Sequence, residues 1–272
     1  MLRFAPLARL RPGAAPSPAR VAKLVDARDL KSLRRKAMRV RFPLRAPGDI
    51  FGARAVQLNA DLTVAAAVDS GSIAWIPSPI AGVERRMLER DGDEVARATS
   101  LVRYAAGSSF AAHTHGAGEE FLVLEGVFSD ETGDFPQGWY VRNPPGSRHV
   151  PRSAAGAVIL VKLRQMPAAE TVPVRLDTQD PALWQDHATG CRQALLFDAL
   201  WERVVMQRLA AGYHGARDRW PGGVEFFVLA GELQLDAATH RAGAWIRLPA
   251  GSSATLASRS GALLYRKTGH LG

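Results

Sequence analysis

One cysteine, Cys191, stands in the whole chain of 272 residues. No internal disulfide can form, which points to a reducing, cytoplasmic setting. Thiolate zinc sites of the finger type are excluded, because they need at least two cysteines. Residues 1 to 100 contain neither cysteine nor histidine. No apolar run approaches the roughly 18 to 20 residues needed to cross a bilayer as a helix, so no membrane partner is expected. Convincing helical periodicity is missing from every long stretch. Acid is scarce at the start: residues 1 to 50 hold 13 Lys and Arg against 3 Asp, which is +10. The whole chain carries +9, so the remaining 222 residues carry −1. The basicity therefore belongs to a leader, and no nucleic-acid partner is expected for the body.

The leader, residues 1–50, is crowded with Pro and Ala between positions 5 and 19, which discourages regular structure. An Arg-rich, acid-poor start is compatible with a transit peptide, an electrostatic arm or a disordered tail. Its segment VAKLVDARDLKSLRRKAMRVRFPLRAP resembles the peptide produced when a transfer-RNA gene is translated by mistake. That resemblance implies a translation start further downstream and a leader without selected function.

From about residue 57 the texture changes. Runs such as SLVRYAAG, EEFLVLEG, WYVRNPPG, RVVMQRLAAG, VEFFVLAG and AWIRLPAG are short, apolar or alternating, and most end in a turn residue. That is strand behaviour, and the body is expected to be all-β. VERRMLERDGDEVARATS fits either a charged helix or a strand pair.

The body also repeats itself. Residues 101–149, shifted forward by 105, match 16 of 49 positions without a gap. Gly118 meets Gly223, Glu120-Phe121 meets Glu225-Phe226, and Gly126 meets Gly231. Arg142 meets Arg247, and Gly146-Ser147 meets Gly251-Ser252. Two β domains are expected, 57–170 and 180–272, packed so that each covers a sheet edge or face of the other. Residues kept in both copies are read as scaffold: the turn glycines, and Arg103, Arg208, Arg142 and Arg247 as makers of ion pairs or hydrogen bonds. Glu120, kept as Glu225, is assigned to the outward face.

Four polar residues are present in only one copy. His113 is matched by Asp218, His115 by Trp220, Glu119 by Val224, and His149 by Ala254. Independent surface residues have little reason to disappear together, whereas a shared metal ion gives them one. On a strand, His113 and His115 point to one face with Cα atoms roughly 6.5 to 7 Å apart, while Thr114 points away. A turn at Gly116-Ala117-Gly118 brings Glu119 back beside them, and His149 arrives after the Pro144-Pro145-Gly146 turn. Three neutral nitrogens and one carboxylate oxygen suit Zn, Fe, Mn, Co or Ni. The other histidines, including His187, His214, His240 and His270, form no cluster and are placed on the surface. Phe110, Phe121, Phe128 and Tyr140 are candidates to line a pocket, though such residues are more often core, and none is read as catalytic.

The spacing itself is familiar. Gly107, His113-Thr114-His115, Glu119 and Gly126 resemble the first cupin motif, and Gly138, Pro144-Pro145-Gly146 and His149 the second, with Ser153 in place of its usual closing Asn. EEFLVLEGVFSDETGDFPQGWYVRNPPGSRHVPRS is similar to ChrR-like cupins, named for the cupin domain of a bacterial anti-sigma factor. The resemblance spans about residues 57–272. It implies a bicupin: two tandem double-stranded β-helix (jelly-roll) barrels, the first holding metal and the second degenerate. It implies one divalent metal, Zn or Fe(II), with Mn a further option. One function that follows is an Fe(II)-dependent dioxygenase cleaving a small diketone or hydroxy-ketone. The other is a non-catalytic zinc sensor or regulatory module. Sheet pairing, as a homodimer or within the chain, follows as well. The zinc module through which the anti-sigma factor grips its sigma factor has no counterpart in residues 1 to 100, so sigma-factor binding is not expected.

Overall fold

Alternation along each strand sends odd and even residues to opposite sides of a sheet, and both sides are used in this protein. The computed structural model describes residues 56–272, so the expectations about the leader lie outside the described residues. Among the described residues there are strands and two short 3-10 turns, Ser70–Ser72 and Pro181–Leu183, and no helix long and apolar enough to cross a membrane. The all-β expectation holds, and two barrels are built in tandem. The ambiguous charged stretch is a strand pair, with Val83–Asp91 antiparallel to Arg97–Tyr104.

The large sheet of the first barrel runs Val83–Asp91, Arg97–Tyr104, Ala157–Leu163, Glu119–Asp130, Trp139–Asn143 and Val174–Asp177. The second repeats that plan with Cys191–Ala199, Glu202–Leu209, Ala262–Thr268, Val224–Leu235, Ala244–Leu248 and Ala66–Asp69. The last strand of each sheet comes from outside its own repeat. Val174–Asp177 follows the first repeat yet pairs with Trp139–Asn143, while Ala66–Asp69 precedes it yet pairs with Ala244–Leu248. The exchange is near-symmetric: Asp177 faces Trp139 and Asp69 faces Ala244, positions related by the same shift of 105.

Three cores result. Phe121, Val123, Phe128, Val141 and Ile159 fill the first barrel, and Phe226, Val228, Leu233, Ile246 and Leu264 the second. The third lies between the barrels, where Leu122, Tyr140 and Leu160 meet Met206, Phe227, Trp245 and Tyr265. Each fully buried large side chain contributes roughly 1.5–3 kcal/mol from desolvation.

This middle layer corrects three expectations. Glu120 does point out of its barrel, but the face it reaches is covered, and only 2% of the residue is exposed. It accepts hydrogen bonds from Tyr140 (2.6 Å) and Arg142 (2.8 Å) and pairs with Lys267 of the second barrel. Tyr140 likewise sits between the barrels rather than lining a pocket. Glu225 accepts from Lys162 of the first barrel at 2.6 Å and from His270 at 3.4 Å. His270 is therefore interior and not on the surface, whereas His187 and His214 are exposed and His240 is half-buried. The arginines kept in both copies do make structural contacts. Arg142 pairs with Glu120 and Glu202, Arg247 with Glu89, and Arg103 with Glu84, while Arg208 lies over the Trp184 ring.

Candidate metal centre

The site is assembled from two short paired segments and the start of a long strand. His113–Thr114 pairs antiparallel with Arg148–His149, which sets His149 directly opposite His113. The chain then turns so tightly at Gly118 that φ is +77°, and a Cβ there would stand 2.3 Å from the sulfur of Met166. Glycine is required on both counts. The next residue, Glu119, begins the strand Glu119–Asp130 with its side chain directed as Phe121 and Val123 are, into the barrel.

The four residues singled out from the sequence converge. One ligand atom from each of His113, His115, Glu119 and His149 lies within 4.8 Å of the others, with His113 exposed and the remaining three buried. The three imidazoles form a near-equilateral triangle, with centroid separations of 4.9, 4.8 and 4.7 Å and interplanar angles of 76°, 77° and 74°. Nε2 of His149 is 3.3 Å from Nε2 of His113. Glu119 Oε2 stands 3.5 Å from His115 Nε2 and 3.7 Å from His149 Nε2. Two atoms held about 2.1 Å from a common ion stand about 3.0 Å apart at a right angle and about 3.4 Å apart at the tetrahedral angle. The 3.3 Å spacing lies in that range, and the two spacings to Glu119 are one to three tenths of an ångström longer. The buried Nε2 of His115 has no hydrogen-bond partner, a costly state that an ion would relieve.

For His115 the electrostatics favour the same reading. Burial, reinforced by the two neighbouring imidazoles and opposed by Glu119, holds His115 below the ordinary histidine range and so keeps it neutral. For His149, burial works downward, but the hydrogen bond to Asp130 and the charges of Glu119, Asp130 and Glu131 prevail and raise it.

The family model described as the ChrR cupin-like domain matches the chain twice, over residues 63–167 and 173–272. The chain belongs to this cupin family. No curated protein matches it. Among solved structures, a candidate dioxygenase from Nostoc punctiforme shares the fold with a TM-score of 0.64 at 16% identity, covering 77% of this chain and 84% of that one. The Ylba protein of E. coli aligns at 0.57 and 17%, over 79% and 94% of the two chains. The E. coli pirin YhhW, solved with nickel(II), aligns at 0.57 and 11%, over 75% and 98%.

Around this cupin centre lie side chains that sequence reasoning missed. Asp130 meets His149 Nδ1 at 3.2 Å and accepts two hydrogen bonds from Thr132. Burial works to raise the Asp130 carboxyl, yet the bonds from His149 and Thr132 outweigh it and hold the group at about 2. Asn143 donates through Nδ2 to Glu119 Oε2 at 3.1 Å. His113 Nδ1 faces the carbonyl of Ala111 at 3.3 Å. The signal for Asp130 and Asn143 was present in the repeat, since Leu235 and Leu248 occupy their places in the second cupin barrel. Phe128, 6.0 Å from the His149 ring, with Tyr104 edge-on to it and Phe110 edge-on to Tyr104, forms an aromatic wall on one side.

Proposed function

We propose that the first barrel binds one divalent transition-metal ion through His113, His115, Glu119 and His149, and that the protein is an Fe(II)-dependent dioxygenase acting on a small diketone or hydroxy-ketone. The observation that carries the reading is the convergence of three imidazole nitrogens and one carboxylate oxygen within 4.8 Å, with His113 on an exposed lip. A bound ion would supply Lewis-acid binding of a substrate oxygen and of dioxygen at positions that the four protein ligands do not fill. The chain's own groups prepare that centre. Asp130 retains the proton of His149 at Nδ1, which leaves Nε2 free as a donor. Asn143 holds Oε2 of Glu119 toward the imidazoles. Phe128, Tyr104 and Phe110 limit water on one side. Support from the fold is general: one relative of the same architecture is described as a candidate dioxygenase, and another was solved with nickel(II).

A second reading is favoured by the number of donors. Four protein ligands satisfy tetrahedral zinc completely, which suits a structural or sensing module. The deciding experiment is anaerobic purification, metal analysis, and oxygen uptake with a panel of β-diketones and hydroxy-ketones. Bound ferrous iron with substrate-dependent uptake supports the enzyme. Tightly held zinc without uptake supports the module and rejects the dioxygenase.

A further inference from the structure

Glu119 is held by Asn143, and a side-chain amide does not fix its own direction. It presents oxygen or nitrogen after a half-turn about its last bond, and only its nitrogen can donate to a carboxylate. Something must occupy Asn143 Oδ1 for the useful orientation to persist. That group is Arg175, whose Nη2 donates to Oδ1 at 2.7 Å. Its Nη1 donates to the carbonyls of Arg142 (3.0 Å) and Val174 (2.9 Å), and its guanidinium lies 5.6 Å over the Phe135 ring. The group is thus clamped on several sides and has little freedom to swing away.

Arg175 lies outside the first repeat. It sits on Val174–Asp177, the strand that follows the first repeat and adds to its sheet, in register opposite Val141. Val141 is a barrel-core residue, so the register aims Arg175 at the same interior. We infer that Arg175, delivered by this exchanged strand, is the positioning residue for the metal-site carboxylate, acting through Asn143 on Glu119. The inference rests on the metal-site reading above.

The second barrel supplies an internal control. Its exchanged strand Ala66–Asp69 places Ala67 opposite Ile246, the counterpart of Val141. Ala67, Leu248 and Val224 stand where the first barrel has Arg175, Asn143 and Glu119. All three links are gone together. A cavity of about 470 Å³ lined by Ala66, Ala67, Leu235, His240, Ile246 and Leu248 lies in that region. A strand clamp needed only for folding would have been retained with the strand, as the arginines shared by both barrels are. The relay is instead absent wherever the candidate ligand is absent.

The test uses the full chain, stripped and reloaded with cobalt(II) or zinc(II), and compares Arg175→Ala, Arg175→Lys, Asn143→Leu and the Arg175→Ala/Asn143→Leu double variant. Affinity is read by chelator competition, geometry by the visible spectrum of bound cobalt, and folding by thermal unfolding of the metal-free protein. Arg175→Ala is expected to weaken metal binding about 10- to 100-fold and to alter the cobalt spectrum. Arg175→Lys should recover part of the loss, since an ammonium can still donate to Asn143 Oδ1. The double variant should bind no more weakly than Asn143→Leu alone, because a group acting through Asn143 has nothing left to act on. Affinity for Arg175→Ala within about twofold of native overturns the inference, as do strictly additive losses in the double variant. Should Arg175→Ala not fold, Arg175→Lys and Asn143→Leu carry the comparison, and an unaltered cobalt spectrum in both overturns it. A native chain that binds neither metal overturns the metal-site reading, and the relay with it.

Discussion

Lys162→Met removes one ammonium from a place where no water can replace it. Lys162 Nζ donates to Glu225 at 2.7 and 2.6 Å and to Thr99 Oγ1 at 2.9 Å, and both charged side chains are 1% exposed. Without Lys162, Glu225 keeps only the imidazole of His270 at 3.4 Å. Removing one member of a buried pair costs about 3–5 kcal/mol, because the partner stays buried without compensation. At about 2–4 °C per kcal/mol for a body of this size, the midpoint should fall by roughly 6–20 °C. Lys267→Met is the matching test, since it is the same change at the symmetry-related position. Lys267 Nζ pairs with both Glu120 and Glu202, so its loss leaves two buried carboxylates sharing the single guanidinium of Arg142, with the hydroxyls of Tyr140 and Tyr265 still bonded to Glu120. One negative charge is again left without a counter-ion, so the cost should also be about 3–5 kcal/mol. Urea and thermal unfolding of chelator-treated protein measure both, and Lys162→Met/Glu225→Gln should recover at least half of the single-variant loss. A loss under about 1 kcal/mol in either single variant, or no recovery in the double variant, would refute the reasoning that uncompensated charge sets the cost.

Other outcomes follow from the same structure. His113→Ala or His149→Ala should abolish metal binding while leaving the fold largely intact, and unchanged metal stoichiometry in both variants rejects the ligand set. His270 is held at about 3 by burial and by nearby Lys267 and Lys162, against the opposing pull of Glu225. It stays neutral in the fold while the unfolded chain takes up a proton below about pH 6.5, so stability should fall as pH drops from about 6.5 toward 3. Glu120, held at about 2 against burial by Lys267, Arg142 and Lys162, adds stability above about pH 4.3 that is lost as pH falls toward 2. Urea midpoints across that range should show both components, and His270→Gln should flatten the upper one. A native curve level between pH 6.5 and 4.5 rejects the role given to His270. Gly118→Ala adds a Cβ at φ +77°, 2.3 Å from the Met166 sulfur. It should cost about 2–4 kcal/mol by unfolding, from left-handed strain plus overpacking, and a loss under about 0.5 kcal/mol, the range of a neutral surface change, contradicts that reading.

Period-two alternation and turn residues made the strands legible, and an internal repeat made the two barrels legible. The four candidate ligands could be named because a copy lacking them was available inside the same chain. Asp130 and Asn143 carried that mark too, but neither is a usual ligand at a diagnostic spacing, so neither drew notice. His270 was misplaced because the lack of a cluster says nothing of burial, and Glu120 for a different reason. Alternation tells which side of a sheet a residue leaves, and it does not tell what lies on that side.

What the chain of residues determined alone was local: strand, turn, repeat, and the set of side chains that one barrel has and the other lacks. What tertiary structure decided was which surfaces are exterior and which distant segments arrive at the centre. Strand exchange brings Val174–Asp177 to the first barrel and Ala66–Asp69 to the second, and no periodicity in either short segment announces its partner. The physical reason is that backbone hydrogen bonding between strands carries no address. Partner choice comes from how whole faces pack, and only the assembled pair of barrels provides those faces.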